Sequence, residues 1–245
     1  MPAQRLSSIE LDVITAPTGP PERRLLLNEV GLVVEPARLA LNIGRLVRAP
    51  RGNGRRTLLI PGWKSPEAVM QPIGQYLRRR GHDAVGWGLG VVTNEVEALR
   101  DQMIDRVREQ VDRTGEPVNL VGWSLGGGIA REVARNLPTS VNRVATYGTP
   151  VLGGPTHTVG ATAMGKAECE RITTMQEHLD EMDPIKVPIT AIFTRKDGAV
   201  DWRSCIDRSS ENVTMLEVSA SHAGLGLNPH VWVAVAEALS ENVLV

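Results

Sequence analysis

The chain has 245 residues, of which 42% are hydrophobic and 22% charged, so its length and composition suit one α/β domain with a full core. The formal net charge is −1, which predicts no nucleic-acid partner and no attraction to acidic lipid. No apolar run reaches the roughly 18 residues of a membrane-spanning helix, and the first residues lack the apolar core of a secretory signal. We therefore expect a cytoplasmic protein without an integral membrane segment. Its two cysteines, Cys169 and Cys205, are interpreted as reduced thiols rather than as a disulfide or zinc ligands.

The first elements predicted along the chain lie in residues 1–50. Ser8–Ile14 alternates aliphatic and acidic residues, which predicts an edge strand. Residues 1–50 as a whole are interpreted as a strand and helical extension that packs on the core.

Residues 25–47 are strongly apolar, and polar residues recur in them every seven positions, at Asn28, Glu35 and Asn42. This spacing predicts helices with a narrow polar stripe and a wide apolar arc, with Pro36 starting or kinking a helix. Three interpretations of the arc remain open: burial against the core, a homodimer interface through residues 25–47, or a hydrophobic cover over a substrate site. Binding at a lipid surface is less favoured, because the polar face is not rich in lysine.

From Thr57 onward, short apolar runs alternate with amphipathic stretches. The strand-like runs are TLLIPG, HDAVGWG, PVNLVGW, NRVATYG, PITAIFT and VTMLEVS. Helices are predicted in residues 66–81, 95–114, 125–136 and 229–242. This alternation predicts an α/β fold with a mostly parallel central sheet flanked by helices on both faces. Residues 51–245 form the predicted main domain, with a short cap segment at about 151–185.

A serine lies between two glycines in the stretch LVGWSLGGGIA, at Gly122, Ser124 and Gly126. The stretch joins a predicted buried strand to a predicted helix, so the serine falls on a sharp strand-to-helix turn. Small residues two positions before and after it let the strand and the helix approach closely. Ser124 is therefore a candidate nucleophile at the carboxyl end of the sheet, where open α/β sheets bind ligands.

A serine hydroxyl needs a base to react near neutral pH, and the chain holds five histidines. His222 is the one that directly follows the last predicted strand and precedes the last helix, so it is the candidate base. A carboxylate must orient that histidine. Asp197 is the first acid after the strand PITAIFT and is preferred over Asp201, although an Asp-Gly turn would also explain it.

Stabilisation of the oxyanion requires two main-chain donors near Ser124. The N–H of Leu125, directly after the serine, is one candidate. The N–H of Trp63, in the turn LIPGWKS after the first central strand, is the other.

Together, LLIPGW, LVGWSLGG, TRKDGAVDW and SHAGLGLNP occur in an order that resembles the α/β-hydrolase superfamily from about Thr57 to the C-terminus. The chain is most similar to compact bacterial lipase and esterase-like serine hydrolases. The resemblance implies a Ser–His–Asp hydrolase that acts on carboxylic esters. The first two strands of larger members are not evident, and the short cap segment predicts a minimal lid.

The leading functional prediction is an ester hydrolase that works through an acyl-enzyme on a small-molecule acyl ester, with no metal and no organic cofactor. An acyltransferase or a thioesterase with the same triad is the first alternative. A ligand-binding protein of this fold with negligible turnover is the second, because a fold does not fix a function.

Overall fold

The computed structural model of the protein describes residues 3–240. Within this range, one sheet holds seven strands: β1 (Gln4–Arg5), β2 (Arg56–Ile60), β3 (Asp83–Gly86), β4 (Val118–Trp123), β5 (Val141–Tyr147), β6 (Ile189–Phe193) and β7 (Val213–Glu217). The α-helices are α1 (Ser8–Asp12), α2 (Glu35–Leu41), α3 (Ile43–Arg48), α4 (Gln71–Arg79), α5 (Val96–Thr114), α6 (Leu125–Asn136), α7 (Ala161–Met164), α8 (Lys166–Met182) and α9 (Pro229–Ser240). Short 3₁₀ helices occupy Arg23–Val34, Glu67–Met70, Gly154–His157, Trp202–Cys205 and Ala223–Leu227.

The strand order is β1-β7-β6-β5-β4-β2-β3. Strands β2 to β7 run parallel to one another, and β1 pairs antiparallel with β7, with Gln4 opposite Glu217. Each of the six strand-like runs of the sequence overlaps one of the parallel strands, and β2 and β5 begin one residue before their runs. The predicted mostly parallel sheet is confirmed. The last predicted helix extends to residue 242, and its final two positions lie outside the described residues.

Helices cover both faces of the sheet. Successive side chains of a strand point to opposite faces, so each face presents apolar residues to its own layer of helices. Leu58 and Leu120 join a buried cluster with residues of α5 and α6. Leu59 and Val121, one position further along, join a second cluster with residues of α4 and α9. Full burial of each such side chain contributes about 1.5–3 kcal/mol to folding. The predicted two-sided helical covering is confirmed.

The edge strand predicted for Ser8–Ile14 is wrong, because helix α1 occupies Ser8–Asp12. Ser7 and Glu10 form a capping box there: the Ser7 side chain accepts from the Glu10 N–H at 3.3 Å, and the Glu10 carboxylate accepts from the Ser7 N–H at 2.8 Å. These bonds satisfy helix N–H groups that have no partner within the helix. The cap therefore outweighs the alternation, and the edge strand lies earlier, at β1.

The apolar residues 25–47 are helical, as predicted, and α2 begins at Glu35 with Pro36 in its first turn. Aliphatic side chains of this segment face outward, and a polar side chain faces the core. Leu27, Val30 and Val33 are 67–76% exposed, whereas Glu35 is 1% exposed. The interpretation that the apolar arc packs on the core is therefore wrong for these three side chains, and the polar residue Glu35 faces inward instead. Nearer the end of the segment, Leu46 is buried in a core cluster and Leu39 packs against it.

The cap segment between β5 and β6 consists of the 3₁₀ helix Gly154–His157 and the helices α7 and α8. The minimal lid expected from the sequence would consist of this segment. Among residues 3–240, no helix combines the length and the hydropathy needed to cross a membrane.

Candidate active site

Ser124 occupies a strained turn between β4 and α6. Its φ is 53° and its ψ is −125°, a conformation that costs a residue other than glycine about 1–3 kcal/mol. Its N–H donates to the carbonyl of Tyr147 at 2.9 Å, which ties the turn to the end of β5. A strained serine held by its surroundings is the arrangement of a nucleophile elbow.

The glycines around Ser124 are required by close backbone contacts. A Cβ added to Gly122 would lie 2.5 Å from the carbonyl oxygen of Gly126, inside the first turn of α6. A Cβ added to Gly126 would lie 2.6 Å from the carbonyl oxygen of Ile60 at the end of β2. The Gly-x-Ser-x-Gly spacing therefore brings α6 against two strand ends at once.

His222 and Asp197 form a buried pair beside this turn. His222 follows β7 and Asp197 follows β6, and the Nδ1 of His222 lies 2.7 Å from the Oδ2 of Asp197. The other carboxylate oxygen of Asp197 accepts from the N–H groups of Ala199 and Val200 at 2.8 and 2.7 Å. Asp197 thus both forms the local turn and contacts the histidine, so the two readings of this residue coexist.

Asp201 has other partners. Its Oδ1 accepts from the N–H of Arg203 at 3.0 Å and caps the 3₁₀ helix Trp202–Cys205. The same carboxylate forms an ion pair with the Arg203 side chain at 3.3 Å. The carboxylate of Asp201 therefore stabilises the local 3₁₀ helix, and its bonds are to Arg203.

Nearby charges set the protonation of His222. Burial by itself lowers the pKa of His222, but the carboxylates of Asp197 and Glu29 outweigh this effect, so the pKa is raised above its ordinary value. The contact between Nδ1 and Asp197 leaves Nε2 as the ring nitrogen that can exchange a proton with a substrate or a nucleophile.

A cavity of about 220 Å³ opens over this site. Its lining includes Ser124, His222, Trp63 and Leu125, together with side chains of the cap segment. A Cβ added to Gly62 would lie 3.3 Å from the Cβ of Ser124, so the turn that carries Trp63 lies directly against the serine. The structure thus brings these four candidate residues to one cavity, with Asp197 behind His222.

Leu125 and Trp63, the two candidate main-chain donors, are positioned by different contacts. Leu125 is the first residue of α6, and the first N–H groups of a helix have no carbonyl partner within it. The Trp63 indole donates to the side chain of Asn94 at 2.7 Å, which anchors its loop from outside the cavity.

A second, smaller cavity of about 50 Å³ adjoins the first and shares Leu125, Pro150 and Pro155 with it. It runs between α5, α6 and α8, and its lining includes Ile172 and Met175. The main cavity in turn includes Met164. One methionine therefore lines each of the two cavities at or beside Ser124.

Sequence reasoning did not single out Glu29 as part of the site. Its Oε1 accepts from the N–H groups of Gly198 and His222 at 2.9 and 3.0 Å, and its Oε2 accepts from the N–H of Ala223 at 2.9 Å. Glu29 lies in an apolar run far from the other site residues in sequence, so no local pattern indicates this contact.

The described residues contain no group of three or more His, Cys, Asp or Glu side chains arranged to hold a metal ion. The geometry provides a serine and a histidine in the wall of one cavity, with a buried carboxylate behind the histidine.

Comparison with known proteins extends the structural description. The profile of the dienelactone hydrolase family matches residues 80–220. A pimeloyl-[acyl-carrier protein] methyl ester esterase of Aliivibrio salmonicida is 35% identical over 97 residues, which are 39% of this chain and 36% of that protein. The match therefore spans only about a third of this relative.

Solved structures share the fold at low identity. A monoacylglycerol lipase of Paleococcus ferrophilus superposes with a TM-score of 0.54 at 13% identity, over 77% of this chain and 97% of the lipase. A thioesterase domain from the curacin biosynthetic pathway superposes with a TM-score of 0.52 at 14% identity, over 78% of this chain and 92% of that domain. Since the family profile matches more than half of the chain, the protein belongs to the dienelactone hydrolase family and, with it, to the α/β-hydrolase superfamily.

Proposed function

We propose that this protein is a serine hydrolase that cleaves carboxylic esters through an acyl-enzyme. The observation that carries the proposal is the buried His222–Asp197 pair, 2.7 Å apart, in the wall of the cavity that holds the strained Ser124. Membership of the dienelactone hydrolase family and the partial match to a methyl ester esterase support the reaction class.

In the proposed mechanism, the Oγ of Ser124 attacks the ester carbonyl while the Nε2 of His222 removes its proton. Asp197 holds the ring by its Nδ1–H and stabilises the imidazolium that forms. His222 then gives the proton to the departing alcohol, and the acyl group remains on Ser124. A water molecule, activated by His222, releases the acid and restores the enzyme.

The negative oxygen of the tetrahedral intermediate needs donors that are already in place. We assign this role to the main-chain N–H groups of Trp63 and Leu125. Each such donor is worth about 10²–10³-fold in kcat in comparable sites. The helix dipole of α6 adds to the effect, because its positive end lies directly after Ser124.

We propose a small acyl ester as the substrate. The main cavity, of about 220 Å³, includes Val159, Met164 and Val200 in its lining, which suits an apolar acyl group. A longer chain would enter the adjoining apolar cavity past Leu125, where Met175 and Ile172 lie. Methionine adapts to acyl groups of different shape because its side chain is flexible.

Ser124→Ala tests the proposal against a series of p-nitrophenyl esters of increasing acyl length and against a fluorophosphonate label. We expect the variant to fold, to lose turnover and to resist labelling. Ser65→Ala is the matched control, because Ser65 also lines the main cavity and its hydroxyl makes only a long bond of 3.4 Å, to the carbonyl of Trp63; it should keep its labelling and most of its turnover. Unchanged turnover in Ser124→Ala would remove this serine from the mechanism.

Thioester hydrolysis and acyl transfer remain alternatives that use the same residues. The triad geometry does not select the leaving group or the acceptor, and the chain shares its fold with a thioesterase domain. Parallel assays of matched oxygen esters and thioesters separate the first alternative, and a competing alcohol that yields a transfer product identifies the second. A protein that takes the label but turns over no substrate would support the binding-protein alternative.

We further propose a homodimer through residues 25–47. Exposed aliphatic side chains on this segment support it: Leu27, Val30, Val33, Leu41, Ile43 and Val47 are all at least 63% exposed. Sedimentation velocity should show a dimer that Val30→Ser weakens. A monomer at all concentrations would refute the proposed dimer.

The cytoplasmic location stays a prediction.

A further inference from the structure

The 3₁₀ helix Arg23–Val34 contacts both loops that carry the proposed acid and base. One carboxylate makes the central contact: Glu29 accepts from the N–H of Gly198, directly after Asp197, and from the N–H groups of His222 and Ala223, at distances between 2.9 and 3.0 Å. The two loops follow different strands, β6 and β7. A single side chain thus bridges them.

We propose that Glu29 is a positioning residue that fixes the distance and orientation of His222 relative to Asp197. This inference rests on the proposed function, because it gives Glu29 a role in the same reaction. Hydrogen bonds to a carboxylate are shorter and stronger than those between neutral groups. The three hydrogen bonds to the Glu29 carboxylate therefore fix the loop after β6 and the loop after β7 relative to each other.

Other polar residues of the same region reinforce this arrangement. The Asn28 side chain donates to the carbonyl of Lys196 at 3.2 Å, on the acid loop. Glu35 accepts from the side chain of Asn228 at 3.0 Å, beyond the histidine. Asn28 and Glu35 of the polar stripe therefore face inward on the two sides of Glu29, and the aliphatic side chains between them face outward.

The packing at Gly198 provides a second, independent observation. A Cβ added to Gly198 would lie 2.8 Å from the carbonyl carbon of Leu25 and 2.9 Å from the Oε1 of Glu29. The N-terminal segment is thus pressed against the acid loop with no room for a side chain. Such a close fit is expected where the two backbones must keep a fixed separation.

Electrostatics add to the positional effect. The charge of Glu29 acts together with that of Asp197 to raise the pKa of His222. Of the other charged groups on the packed elements, Glu35 pairs with Arg38 at the start of α2, and Lys196 donates to the Ser219 hydroxyl. Removal of the Glu29 charge should therefore lower the pKa of His222, whereas removal of an exposed carboxylate that does not contact the two loops should leave it in place.

The test compares Glu29→Gln and Glu29→Ala with Glu22→Gln, a control that removes an exposed carboxylate from the same segment. In Glu29→Ala we expect kcat to fall by about 10- to 100-fold, the range produced by small misplacements of catalytic groups, with a smaller change in KM. Glu29→Gln keeps one accepting oxygen and should lose less in kcat. Its acid limb in the profile of kcat/KM against pH should move to lower pH.

Ring NMR titration of His222, assigned with His222→Gln, measures the same pKa without any substrate. A lower pKa in Glu29→Gln than in the wild type and in Glu22→Gln shows that Glu29 acts on His222 even if the ester substrate is wrong, and a larger loss of kcat in Glu29→Ala than in Glu29→Gln supports the positioning role. Absence of turnover in the wild type would count against the proposed function alone. Unchanged kcat, pH profile and His222 titration in Glu29→Gln would overturn the positioning role, including where Glu29→Ala fails to fold.

Discussion

Replacement of Asp197 by asparagine separates the structural contacts of this residue from its proposed catalytic contact. One oxygen of Asp197 accepts from the N–H groups of Ala199 and Val200, and the other meets the Nδ1 of His222. The asparagine oxygen can keep both main-chain bonds, because it needs only one acceptor atom for them. Its NH₂ group then faces Nδ1.

An NH₂ donor at that position requires an unprotonated Nδ1, so the ring proton moves to Nε2. The Nε2 of His222 can then no longer take the proton of Ser124. An asparagine in place of the acid of such a triad lowers kcat by about 10⁴-fold, which corresponds to about 5 kcal/mol of transition-state stabilisation. We expect the free energy of unfolding to change by only about 1 kcal/mol, since the main-chain bonds persist.

The assay combines steady-state hydrolysis of a p-nitrophenyl ester, the rate of fluorophosphonate labelling and urea unfolding. Asp201→Asn is the matched control, because it removes a neighbouring carboxylate that caps a 3₁₀ helix. Activity above a tenth of the wild-type value in Asp197→Asn, or an equal loss in Asp201→Asn, would refute the assignment of the acid.

Three further predictions follow from the geometry. Gly126→Ala should lower the free energy of unfolding by about 1–3 kcal/mol in urea titrations, because the new Cβ would lie 2.6 Å from the carbonyl oxygen of Ile60. Gly128→Ala is the control, because a Cβ there meets no atom within 4 Å, and it should be neutral or stabilising. Equal effects of the two substitutions would contradict the steric argument. Neighbouring carboxylates raise the pKa of His222, and His222 must be neutral to act as a base. We therefore expect kcat/KM to fall as the pH drops, with a midpoint above the ordinary histidine pKa of about 6.5. A midpoint below that value would contradict the raised pKa. Asp207→Asn removes the nearer of the two carboxylates that pair with the buried Arg131 and leaves only Asp180, at 3.8 Å. The loss should cost about 3–5 kcal/mol of unfolding free energy, and an unchanged urea midpoint would show that the pair with Asp207 is not essential.

Much of the fold was predictable because its signals are local. The apolar runs from TLLIPG to VTMLEVS each overlap a strand to within one or two residues at its ends, and α6 begins and ends where the sequence indicated. Gly122 and Gly126 indicated the turn at Ser124, since only small residues permit that approach of strand and helix. The alternation in Ser8–Ile14 misled, because a capping box at Ser7 and Glu10 stabilises a helix there.

By itself, the sequence determined the alternation of strands and helices, the strained turn at Ser124 and the placement of Asp197 and His222 after strands, since these depend on periodicity and on neighbouring residues. The 2.7 Å contact of Asp197 with His222 depends on the order of β6 and β7 in the sheet. The inward direction of Glu29 and the outward direction of Leu27 depend on what lies opposite the segment. Local patterns carry no record of such partners, because they are distant in sequence and meet only when the chain has folded.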